Sequence, residues 1–319
     1  MDRKINALPA NNLKHPTSWL EPSSISIIIV NYNAGTFLTA CVGTALAHAD
    51  EIIVVDNASS DSSLALCIHS FPNQAKLKII RHAVNAGFAT ACNIGMAQAH
   101  GDTLFFLNPD CQLSADAVEQ MQSVLQSGPS IGMVGGLLTY PNGTEQGGGR
   151  RAMPTPWRAF VRAFGLYRLA PYFPKLFFDF HLHTQALPLV PIEVEAISGA
   201  CMLVKRQAVD QVGPWDEGYF LHCEDLDWCM RFQQKGYRIL FVPTAHIIHA
   251  QGACGQSRPI FVAWHKHKGM MRFYKKFYRT HYSFVVMWII ACGIALRFGL
   301  VVLYHTLRHI IRLLKINHA

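Results

Sequence analysis

The 319-residue sequence predicts an α/β body, with a mostly parallel central sheet flanked by helices, followed by a helical, membrane-associated C-terminal tail. Three observations carry that expectation. Short apolar runs alternate with helix-like segments from Ser24 to Asp110, the pattern of right-handed βαβ units. Polar residues gather where those runs end. Charge is also split along the chain: 11 Lys and Arg with no Asp or Glu from Arg258 onward, against 17 basic and 20 acidic residues before it.

The elements follow in order. A polar leader (1–22) carries no signal-peptide hydrophobic region, so the body is expected to stay in the cytoplasm. "SISIIIVNYN" (Ser24–Asn33) reads as a buried strand ending in polar residues, "FLTACVGTALAHA" as a helix, and "EIIVVDNASSDSS" (Glu51–Ser63) as a strand entering a polar loop. "KLKIIRH" (Lys76–His82) is a third strand, and "NAGFATACNIGMAQAHG" a glycine turn and helix. "TLFFLNPD" is the fourth strand, broken by Pro109, which cannot continue a central strand. Ligands of such sheets bind beyond the carboxyl ends of the strands, where Asn31, Asp56 and Asp110 stand. A further turn and strand span Gly128–Tyr140.

From about 141 to 190 the pattern breaks into a segment rich in Gly, Pro, Arg and aromatics, too long for an ordinary loop. Arg150, Arg151, Arg158, Arg162 and Arg168 alternate there with Trp157, Phe160, Phe164 and Tyr167. A lipid-facing or acceptor-gripping segment and a solvated amphipathic helix both fit. The body, 23–256, then resumes. "HCEDLDWCMRFQQKG" sets Glu224, Asp225 and Asp227 at the start of a helix ending at Gly236, with Trp228, Cys229 and Phe232 as its apolar stripe. Acids at a helix N-terminus are favoured by capping and the macrodipole without any function. Adjacent acids also raise one another's pKa, moving one towards useful base strength. His246 and His249 follow the strand "YRILFVP"; three residues apart in an extended chain, they point to opposite faces, so at most one meets a metal at Asp110.

Composition and motifs exclude several classes. No Gly-x-Gly-x-x-Gly follows the first strand and no P-loop occurs, so a diphosphate needs another neutraliser, most simply a divalent cation on Asp110. The net charge of +8 resides in the tail, which argues for a membrane surface rather than nucleic acid. The nine cysteines show no Cys-x-x-Cys, which predicts neither a disulfide framework nor a zinc cluster. In the tail (257–319), "WHKHKGMMRFYKKFYRT" sets Met270, Phe273, Tyr274 and Phe277 on one helical stripe, as in a helix lying at a membrane interface. Phe284–Tyr304 is apolar except for Arg297 and long enough to span a bilayer; a buried helix closing a dimer is the alternative.

Taken together, "SIIIVNYN", "EIIVVDNASSDSS", "NAGFATACNIGMAQAHGDTLFFLNPD", "ISGACMLVKRQAVDQVGPWDEGYFLHCEDLDWCMRF" and "VPTAHIIHAQG" resemble the inverting family 2 glycosyltransferases, most closely the bacterial rhamnosyltransferase-like branch. The resemblance implies the GT-A (Rossmann-like) fold, a nucleotide-sugar donor (dTDP- or UDP-linked) and Mg²⁺ or Mn²⁺. It implies donor contacts from Asn31, Tyr32, Asp56, Asn85, Asn108, Asp110 and Gly199, and a metal at Asp110 and His249. Asn108 stands where the family's Asp-x-Asp motif has its first Asp. The catalytic base would be Asp225, with Glu224 its acidic neighbour.

Resemblance and tail together imply transfer of L-rhamnose from dTDP-rhamnose, with inversion, to a polyprenyl-linked glycan. The reaction would serve bacterial cell-surface glycans, cell wall polysaccharide or O-antigen, at the cytoplasmic face of the inner membrane. Glucose, galactose, N-acetylglucosamine or mannose transfer is an alternative, as is a non-catalytic sugar-nucleotide- or glycan-binding relative. A nucleotidyltransferase shares the sheet type, but "NYNAGTF" lacks its glycine-rich basic signature.

Overall fold

The computed structural model describes residues 23–250 and 258–316, so the leader and Cys254 lie outside the described residues. The first half is a run of βα units: β1 (Ile25–Asn31), α1 (Phe37–Ala45), β2 (Glu51–Asp56), α2 (Ser63–Ser70), β3 (Leu77–Arg81), α3 (Phe88–Ala97) and β4 (Thr103–Leu107). Strands β1, β2 and β4 are buried along their whole length, as unbroken apolar runs require of a sheet covered on both faces. There follow β5 (Cys111–Leu113), α4 (Ala117–Gln126), β6 (Ile131–Thr139), β7 (Arg150–Arg151) and α5 (Pro156–Ala163). The body closes with β8 (Ile192–Glu193), β9 (Ala196–Ile197), β10 (Cys201–Lys205), α6 (Arg206–Val212), α7 (Glu224–Gln234) and β11 (Arg238–His249).

The main sheet runs β3-β2-β1-β4-β10-β6-β11-β5, with β8 also on β11. Its β3-β2-β1-β4 half is parallel, and β6 pairs with β11 in parallel. Strand β10 runs antiparallel to both neighbours, pairing Cys201 with Leu107. After the long excursion that begins at 141, the chain re-enters from the edge where β4 ends, so β10 must run the other way. That reversal sets "SGAC" beside Asn108-Pro109-Asp110. One core layer packs α3, α6 and α7 against the sheet, and the other packs α1, α2 and α4.

The tail forms α8 (Pro259–Phe277) and α9 (Phe284–Ile316). Its first helix departs from expectation. Phe273 and Tyr274 are buried in the α7-side core, with Met270 and Phe277 packed around them. The apolar stripe faces the protein's own body, and basic residues beside it are spent there: Lys276 reaches Asp216 at 2.6 Å and Asp227 at 2.7 Å, and Arg272 reaches Asp216 at 2.8 Å. Helix α9 continues past Tyr304. Its 33 residues are roughly 50 Å long, and residues Phe284–Ile311 are apolar and largely exposed, with Met287, Ile290 and Ile294 turned to the body, enough by length and composition to cross a membrane.

Candidate active site

The polar residues at the strand ends form three connected groups. In the first, Asn31 and Asp56 stand opposite each other in the β1–β2 register. Asn31 is fully buried, and its amide donates to Asp56 Oδ1 (2.7 Å), Ser63 Oγ (2.9 Å) and Ser59 Oγ (3.1 Å). It therefore reaches the crevice only through Asp56. Tyr32 is half-buried in the next loop. Asn85 Oδ1 accepts from Asn57 Nδ2 at 3.0 Å, and Asn57 also holds the backbone of Ala86 and Gly87. Gly87 has φ +90°, and a Cβ there would lie 2.6 Å from the Phe220 carbonyl oxygen, so only glycine lets this loop meet the segment before α7.

In the second group, Asp110 and His249 are both buried, with Nε2 of the histidine 3.1 Å from Oδ1 of the acid. The three-residue strand β5 produces this pairing: it runs antiparallel to β11 and sets Cys111 opposite His249. Around Pro243 the β11 register slips against β6, and beyond the slip His249 is buried while His246 is exposed. Gln146, buried, donates to the His249 carbonyl oxygen (2.5 Å), which leaves its Oε1 to accept from His249 Nδ1 at 2.8 Å. Nδ1–H is thereby turned to Gln146, and Nε2 faces the carboxylate oxygen, where a proton or a metal ion can join the two. The donor set fits a divalent cation, with the accepting amide in the usual supporting place behind a metal-bound histidine. Ligand atoms of Asp110, Cys111 and His249 lie within 4.8 Å of one another. Cys111 is the odd member: burial pushes its thiol well up, and its Sγ donates to the Ala200 carbonyl oxygen at 3.5 Å. Asn108 takes part through its backbone, its N–H donating to Ala200 O at 3.0 Å.

The third group opens α7. His222 and Cys223 have φ of +68° and +70°, a conformation unfavourable for both, held just before the acids. Asp225 accepts from Arg151 Nη2, from Leu226 N (2.8 Å) and from Gly199 N (3.3 Å). Burial alone would raise its pKa, but the Arg151 charge and these hydrogen bonds hold it below the usual carboxylate value. Glu224 is pushed up to about 8 by burial and the charge of Asp225, and its Oε2 has no hydrogen-bond partner. At neutral pH Asp225 is thus the ionised acid and Glu224 the protonated one. Gly199-Ala200 joins the two centres: one N–H reaches Asp225, and the next carbonyl oxygen accepts from Asn108. Phe106 on β4 packs edge-on against Trp215 and Trp228, fixing α7 over the strand that leads to Asp110. Asp227, the third acid of the trio, lies outside the site, bound by Arg231 at 2.7 Å and Tyr219 at 3.1 Å.

Sequence reasoning missed Gln146 and Asn57, and read Arg151 only as one of an arginine series. The arginines of that series are largely spent on internal acids: Arg150 on Glu145, Arg151 on Asp225, Arg158 on Glu195 and Arg162 on Asp179. No periodicity marks such partners, because each pairs across a long stretch of chain or through a turn.

A family model described as "Glycosyl transferase family 2" matches residues 26–213, and one described as "Glycosyl transferase family group 2" matches residues 175–314. N-acetylglucosaminyl-diphospho-decaprenol L-rhamnosyltransferase of Mycobacterium tuberculosis is 26% identical over 293 residues, covering 87% of this chain and 92% of its own. Rhamnosyltransferase WbbL of Escherichia coli is 41% identical over 56 residues, 18% of this chain and 21% of its own. Among solved structures, GalNAc-T7 with UDP, GalNAc and Mn²⁺ aligns with TM-score 0.56 at 18% identity, over 79% of this chain and 48% of that one. The mannosyltransferase PcManGT from Pyrobaculum calidifontis, in complex with GDP-Man and Mn²⁺, aligns with TM-score 0.52 at 17% identity, over 79% and 64%. These likenesses give the fold, GT-A.

Proposed function

The chain belongs to glycosyl transferase family 2, and on that premise we propose that it moves an L-rhamnosyl group from dTDP-rhamnose, with inversion, onto a polyprenyl-diphosphate-linked acceptor at the cytoplasmic face of a bacterial membrane. The rhamnosyl reading and the acceptor class draw on the mycobacterial relative, whose length is almost wholly covered. The exposed apolar α9 supports the membrane location.

One observation carries the mechanism: two buried acid centres, one paired with an imidazole and the other with a guanidinium, flank the Gly199-Ala200 backbone. Asp110 and His249 would hold Mg²⁺ or Mn²⁺, which offsets the charge gathering on the departing nucleoside diphosphate. Asp56, fixed by Asn31, is offered to the nucleoside, and Asn85 shapes the adjoining loop. Asp225 accepts the proton of the acceptor hydroxyl as its oxygen bonds to the anomeric carbon and the bond to the diphosphate breaks on the opposite face. A positioned base of this kind contributes roughly 10²–10⁴-fold. Glu224, protonated, keeps a second negative charge away from the incoming oxygen.

The test is a panel of dTDP-, UDP- and GDP-sugars assayed for thermal stabilisation and slow hydrolysis, with Mn²⁺ or Mg²⁺ and with chelator. dTDP-rhamnose should stabilise most, and only with the cation. A larger effect of another sugar nucleotide would replace the rhamnosyl assignment. Stabilisation that survives chelation would remove the cation from Asp110 and His249.

A further inference from the structure

Helix α5 is amphipathic with its charged side turned inward. Arg158 reaches Glu195 at 2.7 Å and lies 5.1 Å from the Phe178 ring, while Arg162 pairs with Asp179 and lies 4.8 Å from the Tyr167 ring. Val161 is buried beside them, and Ala159 packs on the core. With 3.6 residues per turn, Trp157, Phe160 and Phe164, the last just past the helix end, fall together on the outer side. They are 46%, 45% and 68% exposed, and their rings form a row, with centroids 5.5 Å apart from Trp157 to Phe160 and 4.6 Å apart from Phe160 to Phe164. Trp157 Nε1 donates to the Leu176 carbonyl oxygen at 2.7 Å, which ties the segment 172–176 to the helix. That segment turns Tyr172, Phe173 and Leu176 outward as well.

The charge around these rings says what covers them. Between Ala152 and Val190 the sequence holds one acid, Asp179, and it is buried against Arg162. Arg168 and Lys175 are exposed, and among the described residues neither has an ion pair. Aromatic rings with a basic rim match the boundary of an anionic leaflet, where Trp and Tyr sit at headgroup level and each Lys or Arg is attracted to the surface. A second copy of this chain, docked face to face, would set the same basic rim against itself. The face also adjoins the tail. Tyr274 on α8 donates to the Pro154 carbonyl oxygen at 2.9 Å, two residues before α5, and α9 sets out from Phe284, close to the end of α8, with its first residues exposed. Four residues separate Arg151, the partner of Asp225, from the start of α5 at Pro156, so the rings stand close in sequence to the acid pair's own support.

We infer that the outer face of α5, with the segment 172–176, is a second membrane contact, whose rings enter the boundary between headgroups and acyl chains of an anionic leaflet while Arg168 and Lys175 meet the headgroups. Interfacial helices of this kind sink by about 5–10 Å. This rests on the membrane location proposed above and adds a contact independent of α9. A helix anchored only by α9 leaves the body free to swing, whereas two contacts fix which side of the body faces the lipid.

The experiment places a reporter in the face. The full chain carrying Phe164→Trp is bound to vesicles of phosphatidylcholine and phosphatidylglycerol, with or without bromine high on the acyl chains, and its emission is compared with that of wild type. Phe164 is exposed, so the larger ring displaces nothing inside the protein. The added emission should shift to the blue on binding, lose most of its intensity to the brominated lipid, and be shielded from iodide in the water. Co-sedimentation with the vesicles reports attachment of the chain separately. A chain that sediments while position 164 stays open to iodide and is not quenched by bromine overturns the second contact and leaves the membrane location standing. A blue shift without bromine quenching sets the rings against protein and also overturns it. A chain that does not sediment overturns the membrane location, and the contact with it.

Discussion

The two acid centres are buried to similar depth but are balanced in opposite ways. Asp110 has an imidazole and no Lys or Arg beside it among the described residues, whereas Asp225 has the guanidinium of Arg151. A buried carboxylate is costly without a partner: in the proposed mechanism a cation joins the imidazole in completing the first centre, whereas Arg151 already pairs the second. Their supports differ too. Strand register fixes Asp110 and His249, while Asp225 rides on a helix start held by two left-handed residues and by α8. In the proposed mechanism the first centre waits for a ligand's charge, and the second keeps a carboxylate ionised until an alcohol reaches it.

The strongest way to break this contrast is to remove each acid in turn. Asp110→Ala should lower transfer by roughly 10³-fold or more, and donor affinity should no longer respond to Mn²⁺ or to chelator. Asp225→Asn should lower kcat by roughly 10²–10⁴-fold while donor affinity, read by titration calorimetry, stays near wild type. If both variants lose donor affinity alike, the centres do not divide the work and the comparison fails.

That division was half legible in the sequence. Unbroken apolar runs announced β1, β2 and β4, and the polar residues after them marked the crevice edge, because a strand covered on both faces writes its burial into every position. The stripe Trp228, Cys229 and Phe232 likewise announced the buried face of α7. The direction of β10 left no trace, since "CMLVK" reads alike both ways. The meeting of His249 with Asp110 rests on a three-residue strand and a slipped register, too short for any period. Arg151 looked like its neighbours because only its distant partner distinguishes it. The α8 stripe shows the limit most clearly: periodicity reveals that a face is apolar, not whether lipid or protein covers it.

A subtler perturbation leaves both acids in place. Gln146→Leu removes the acceptor of His249 Nδ1–H and frees the ring to turn or change tautomer. The Mn²⁺ concentration giving half-maximal activity should rise about 10- to 100-fold, with kcat at saturating Mn²⁺ close to wild type. An unchanged Mn²⁺ titration would mean that His249 is not a ligand, and the first centre would then rest on Asp110 alone.

The smallest expected effect tests the other centre through stability. Glu224 holds its proton up to about 8 in the folded chain, against an ordinary value of 4.5. Between those values the folded state binds more protons than the unfolded one, so stability falls as pH rises and levels off above the upper value. Glu224→Gln removes that slope. Its Tm should approach wild type near pH 4.5 and exceed it by about a few degrees near pH 8. Transfer at neutral pH should stay within about threefold of wild type, because a neutral amide replaces a neutral acid of the same shape. Loss of transfer to the extent seen in Asp225→Asn would exchange the roles of the two acids. Asp225, held ionised by Arg151, would then be the brace, and Glu224 the group that takes the proton.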